Sequence, residues 1–311
     1  MSEEGLSAVD MAASAVSWSD KALRLLRGLN NFHRPGSSQA KCCPFMVSGH
    51  QVGWVPPRVV TELGRFPEVF QLQRGTVELS PGLESYTQRS AAVDTVLHCL
   101  REENTFRCLR GWRDEKYEVM PQFCDPPMLC MERSATCLFG VKRYGVHING
   151  FTRQPDGGVS MWVARRALGK PTYPGLLDNM VAGGLAAQTS ITQTLVKECA
   201  EEACIPECIA KCAHPVSTVS YTYEDDEGVF PECQFVFDLE VPQGFTPQIG
   251  DGEVLEFYLW PMDKVKEALV TAEFKPNCAL VVLDFLIRHS YLDPDTEPHY
   301  QQFVAGLHRS L

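Results

Sequence analysis

The chain has 311 residues, with 28 Lys and Arg against 39 Asp and Glu, for a formal net charge of -11. That balance argues against a protein whose main work is gripping nucleic acid or anionic lipid, because both need clustered positive charge. No apolar run approaches the ~20 residues that cross a bilayer, and the opening MSEEGLSAVDMAAS carries acids where a targeting peptide would carry Lys or Arg. The cytoplasm is therefore the expected location, and neither membrane nor nucleic acid is an expected partner.

The charge divides the chain. Residues 1–140 hold 15 basic and 16 acidic side chains, while residues 141–311 hold 13 and 23. We expect an N-terminal α+β domain over 1–140 and a second domain over 141–311. In chain order, SDKALRLLRGL (19–29) predicts a helix capped at Ser19/Asp20, and PFMVSGHQVGWVPP predicts one or two short strands stopped by the double proline. PRVVTELGRF predicts a short helix starting near Pro57, and VFQLQRGTVELSP a hairpin turning at Arg74-Gly75. SAAVDTVLHCLREEN places Val93, Val96, Leu97 and Leu100 on one helical stripe. Trp54, Trp112 and Tyr117 could stack on a ligand, although aromatics are more often core.

After residue 140, GVHINGFTRQPDGGVSMWVARRA predicts two strands joined by a Pro-Asp-Gly-Gly turn. A helix from about Ser190 to Ala203, two strands around EDDEG, a strand over 254–260, and helices at DKVKEAL and Asn277–His289 complete a mixed sheet with packed helices. His147, in the apolar GVHING strand, is expected to be structural. The thirteen Cys include a close set, Cys204, Cys208 and Cys212 followed by His214. With no distant pair and with Pro206 interrupting, these are expected to be reduced, small, buried side chains rather than zinc ligands.

The informative stretch runs from Gly183-Gly184 to Pro206. Ser190 with Gln193 forms a capping box that fixes the helix start. Helical spacing gathers Leu195, Val196, Cys199, Ala200 and Ala203 on one face and Glu198, Glu201 and Glu202 on the other. Three like charges at i, i+3 and i+4, near a helix C-terminus that disfavours anions, make sense if a divalent cation sits among them.

This stretch resembles the Nudix box, G-x5-E-x7-R-E-U-x-E-E-x-G-U with U a bulky apolar residue. Aligned from Gly183, the Arg-Glu falls on Lys197-Glu198, the paired glutamates on Glu201-Glu202 and the closing apolar residue on Ile205. Thr189, Lys197 and Cys204 depart from the Glu, Arg and Gly of the pattern. Lys197 keeps the charge but loses the planar fork, and Cys204 implies that the turn before Pro206 is made differently. KPTYPGLLDNMVAGGL, KECAEEACIP, GEVLEFYLWP and FKPNCALVVLDFLIRH resemble one Nudix subgroup, whose extra N-terminal domain SGHQVGWVPP and residues 1–140 resemble. In fungi this two-part unit is associated with thiamine pyrophosphokinase.

The resemblance implies a Nudix fold, a mixed β-sheet between helices, preceded by a smaller α+β domain. It implies a Mg²⁺-dependent hydrolase, with Mn²⁺ as the alternative ion, that takes thiamine diphosphate or its damaged oxy and oxo forms to the monophosphate. Glu198, Glu201 and Glu202 would be the catalytic and metal-binding residues. Arg165, Arg166, Gly183, Gly184 and Lys197 are candidates for binding the small-molecule diphosphate, with Lys170 beside them. The general base is open among the cluster, Glu253 and Glu256. Alternatives are a non-catalytic ligand-binding protein of the same fold, a hydrolase of another nucleoside diphosphate derivative, or an isomerase of allylic diphosphates.

Overall fold

The computed structural model describes residues 16–73 and 75–309. The acidic N-terminal stretch and Arg74 of the expected turn lie outside the described residues. The first helix, α1 (Trp18–Leu29), starts one residue earlier than expected. Its cap is Ser17, whose hydroxyl accepts from the Asp20 N–H at 3.0 Å, rather than Ser19/Asp20. Ser19 sits inside the helix, largely buried.

Strands β1 (Cys43–Val47) and β2 (His50–Val55), helix α2 (Pro57–Leu63), strands β3 (Phe70–Gln73) and β4 (Thr76–Leu79), and helix α3 (Tyr86–Glu102) follow as the pattern predicts. The four strands form one sheet in the order β2-β1-β4-β3. Its core combines Phe45, Phe70 and Phe139 with the α3 stripe Val93, Val96, Leu97 and Leu100. A two-stranded ribbon, β5 (Lys116–Val119) and β6 (Leu129–Glu132), leads into the short α4 (Thr136–Phe139).

The second sheet is built from β7 (Arg143–Arg153), β8 (Val159–Arg166), β9 (Leu177–Asn179), β10 (Val181–Gly184), β11 (His214–Asp225), β12 (Gly228–Glu240) and β13 (Val254–Pro261). Its path is β11-β12-β7-β8-β13, with β10 paired to β7 and β9 to β8. Only β12–β7 is parallel among the pairings on that path. Between β10 and β11 come α5 (Ile191–Ala203) and α6 (Glu207–Ala210), and after β13 come α7 (Met262–Ala268), α8 (Pro276–Arg288) and α9 (Tyr300–Leu307).

Strand alternation divides β7 between two cores. Val146 and Ile148 pack with Leu195, Cys199 and Ala203 of α5. Phe151 joins α8, α9 and, from the far end of the chain, Ala22, Leu23, Leu26 and Leu29 of α1. The mixed sheet is thus covered by α5 on one face and by α8, α9 and α1 on the other, an α+β arrangement as expected. Among the described residues no helix is long and apolar enough to cross a membrane.

Candidate active site

The capping box is present as read. Ser190 accepts from the Gln193 N–H at 3.2 Å, and Gln193 accepts from the Ser190 N–H at 2.9 Å, so α5 begins where the sequence predicts. Its end corrects an expectation. Cys204 does not make the turn differently but takes the left-handed conformation itself, at φ 51° and ψ 32°. That conformation costs a residue with a Cβ about 1–2 kcal/mol. The Ile205 N–H donates to the Cys199 carbonyl at 2.9 Å, and the loop after β12 caps the same end, with the Asp251 N–H on the Glu201 carbonyl at 2.8 Å. Cys204, Cys208 and Cys212 are exposed, not buried, because α5 stops at Ala203 and α6 starts at Glu207.

The three glutamates do not share one solvated face. Glu201 is exposed, Glu198 is half-buried, and Glu202 is 8% exposed, with its Oε2 accepting from the Ala182 N–H of β10 at 3.0 Å. Lys197 bridges the outer two, its Nζ 3.2 Å from Glu198 Oε1 and 2.7 Å from Glu201 Oε2. Burial pushes the Glu202 carboxyl up to about 8, and the negative charge of Asp178 adds to that. Burial also raises Glu198, partly offset by Lys197. Among the described residues no three His, Cys, Asp or Glu side chains converge as a ready-made metal cage. The donor set nevertheless suits a hard divalent cation. It is carboxylate oxygen throughout, and the fields of Glu198 and Glu253 reach the buried Glu202, an excess of negative charge that such an ion would offset.

β10 connects this helix to a cavity of about 590 Å³. A Cβ on Gly183 would strike the Glu198 side chain, and one on Gly184 would strike the Tyr117 hydroxyl of β5. Both glycines line the cavity and are fixed there by close packing on either side. The walls carry Tyr117, Tyr144, Tyr173, Tyr221 and Tyr223, together with Arg107, Arg110, Arg113, Arg133, Arg143 and Lys275. Glu232 is held there by Arg143, by the Tyr221 hydroxyl at 2.6 Å and by Gln234 at 2.8 Å. Burial works against its charge, but these partners hold the carboxyl below its ordinary value.

Other expected residues go elsewhere. Arg165 spends its fork on the Tyr258 hydroxyl at 3.1 Å and the Gly175 carbonyl at 2.8 Å. Arg166 binds Asp178 at 2.7 Å and the carbonyls of Thr172 and Tyr173, and neither arginine lines the cavity. Asp178 also meets Lys275 at 3.3 Å and takes the Cys278 thiol at 2.6 Å. Burial opposes its charge, yet Lys275 and Arg166 hold it well below the usual carboxylate range. Lys170 pairs with Glu253, and Glu256 accepts from the Tyr258 hydroxyl at 2.7 Å. Thr189 hydrogen-bonds the Ala186 carbonyl at 2.6 Å, a local support for the turn into α5. His147 is buried, with Nδ1 donating to Asn179 Oδ1 at 2.7 Å, and burial lowers it to about 4, so it is neutral at pH 7.

Sequence reasoning passed over the cavity arginines. The run RCLRGWR (107–113) was a signal for them, whereas Arg133, Arg143 and Lys275 come from separate segments that only the fold brings together. Trp54 instead packs near Phe32, and Trp112 lies beside His98 and Arg101.

Comparison with known proteins gives the same direction. Residues 23–143 match the family described as Domain of unknown function (DUF4743). Over 278 residues the chain is 37% identical to Nudix hydrolase 20, chloroplastic, of Arabidopsis thaliana, covering 86% of this chain and 73% of that one. It is 34% identical over 281 residues to an uncharacterized protein of Saccharomyces cerevisiae, covering 85% and 82%. Among solved structures, the NUDIX domain of Shewanella oneidensis NrtR complexed with ADP ribose matches with a TM-score of 0.37 and 17% identity, over 50% of this chain and 91% of that chain. With the box on α5 and relatives matched along most of both chains, the protein belongs to the Nudix hydrolase family and is a diphosphate-hydrolysing enzyme of that kind.

Proposed function

We propose that the enzyme is a Mg²⁺-dependent hydrolase of thiamine diphosphate or its oxy and oxo analogues, releasing the monophosphate and inorganic phosphate. The observation that carries the reading is the composition of the cavity beside Gly183 and Gly184. Tyrosine faces suit a cationic heteroaromatic ring, and arginines suit the diphosphate attached to it. The sequence resemblance to the two-part fungal proteins linked to thiamine pyrophosphokinase supports the same substrate.

In hydrolysis the oxygen of water bonds to phosphorus, the anhydride P–O bond breaks, and the proton of water passes to a base. Glu198, Glu201 and Glu202 are the residues that would hold the ion, with Mn²⁺ as a substitute. When bound, it neutralises phosphate charge and acidifies water. Gly183 and Gly184 make room against β10 for the Glu198 side chain and the Tyr117 hydroxyl, and the Lys197 ammonium holds Glu198 and Glu201 in place. Lys170 keeps Glu253 ionised beside the cluster: burial opposes that charge, but the ammonium more than reverses it, which makes Glu253 a fixed negative charge there rather than a strong proton acceptor.

A screen of thiamine, oxythiamine and oxothiamine diphosphates, ADP-ribose and dinucleotides with Mg²⁺ tests the proposal. Fastest turnover is expected on the thiamine group. Turnover of ADP-ribose alone would replace the substrate while leaving the hydrolase intact.

A further inference from the structure

The cavity is cationic in a protein whose net charge is -11. Six Arg and Lys side chains line it against three acids, Asp225, Glu227 and Glu232. Two of those acids are already matched, Glu227 by Arg107 and Glu232 by Arg143. Arg110 takes only the neutral Asn104 oxygen, at 2.7 Å, and neither it nor Arg113 has an ion-pair partner among the described residues. Arg133 gives Nη1 to Glu115 at 2.7 Å, and its fork lies 5.3 Å from the centre of the Tyr117 ring. One carboxylate contact leaves a guanidinium with further donors.

Four of the six, Arg107, Arg110, Arg113 and Arg133, come from the region between residues 107 and 133, inside the domain of unknown function. The same region is tied to the turn that precedes α5. The Ala187 N–H donates to the Lys116 carbonyl at 2.7 Å, the Gln188 N–H to Glu118 at 3.2 Å, and the Tyr117 hydroxyl sits where Gly184 leaves room. One cavity is therefore lined by Gly183 and Gly184 from the acidic half of the chain and by arginines from the other.

We propose that the N-terminal part supplies the anion-binding wall of the substrate cavity, with Arg133 and Arg113 binding substrate phosphate and Tyr117 spacing it from β10. The proposal rests on the hydrolase reading but not on the choice of thiamine.

Inorganic pyrophosphate tests it, because it carries no organic group. Its affinity for the full chain is measured by calorimetry. Arg133→Met and Arg113→Met should each weaken binding about tenfold, the loss of a charge-assisted contact. Arg133→Lys should restore part of it, and Arg153→Met, an exposed pair with Glu240 away from the cavity, should change nothing. Unaltered affinity in both methionine variants overturns the proposal. Should Arg133→Met fail to fold, Arg113→Met and Arg133→Lys carry the test, and wild-type affinity in both overturns it equally.

Discussion

Strand β10 separates two regions of opposite chemistry. On one side α5 presents a buried Glu202 and a half-buried Glu198. On the other, a cavity is walled by arginines that come largely from the N-terminal part. The acidic side belongs to the half of the chain holding 23 acids, and the cationic wall to the half that is almost neutral overall. Net charge per region therefore says little about what a region binds. Fifteen cations and sixteen acids can cancel in sum while several of the cations point into one cavity. On the reading proposed above, one side would hold the reaction's ion and water, and the other the substrate's charge.

The structural boundary between the regions is sharpened most by the first helix. Leu26 of α1 packs in the core with α8 and α9 and touches Gly306 of α9. Leu26→Ala should cost about 2–5 kcal/mol. Hydrogen exchange should show the loss in α8 and β11 rather than in the β1–β4 sheet. Loss confined to β1–β4 would mean that α1 serves the N-terminal core instead.

The next effect divides the acids. Glu202→Gln should lower kcat about 100-fold or more, the scale of losing several kcal/mol of charge stabilisation around the reacting phosphate. Glu201→Gln, at an exposed position bridged by Lys197, should lower it less, and a chelator should abolish activity in the wild type. Equal losses in the two variants would show that burial does not rank them.

Smaller effects lie at the helix ends. Ser190→Ala removes half of the capping box and should cost about 1 kcal/mol in thermal or denaturant unfolding. Cys204→Gly should stabilise by about 0.5–1 kcal/mol, since glycine takes the left-handed conformation without strain. A destabilised Cys204→Gly would mean that the thiol contributes contacts outweighing the backbone strain.

The start of α5 was legible because caps are local: Ser190 and Gln193 act within one turn of chain, whereas the left-handed conformation of Cys204 was not. The β7–β8 hairpin and the stripe of α3 were legible for the same reason. The burial of Glu202 was not, since helical spacing cannot see the Ala182 N–H that receives it from another strand. The fates of Arg165 and Arg166 were hidden in loops carrying Gly175, Thr172 and Tyr173, whose carbonyls take up their donors. The cationic wall was least legible of all. It is assembled from Arg113, Arg133, Arg143 and Lys275, which are far apart in sequence and adjacent only once both sheets have formed.

The central claim is that catalysis and substrate charge recognition lie on opposite sides of β10. The direct test is steady-state hydrolysis, by Glu202→Gln and Arg133→Met side by side, of whichever diphosphate the wild type turns over fastest. The account predicts that Glu202→Gln lowers kcat with little change in KM, and that Arg133→Met raises KM with kcat nearly kept. A fall in kcat of the same size in both, with KM unchanged in both, would contradict it.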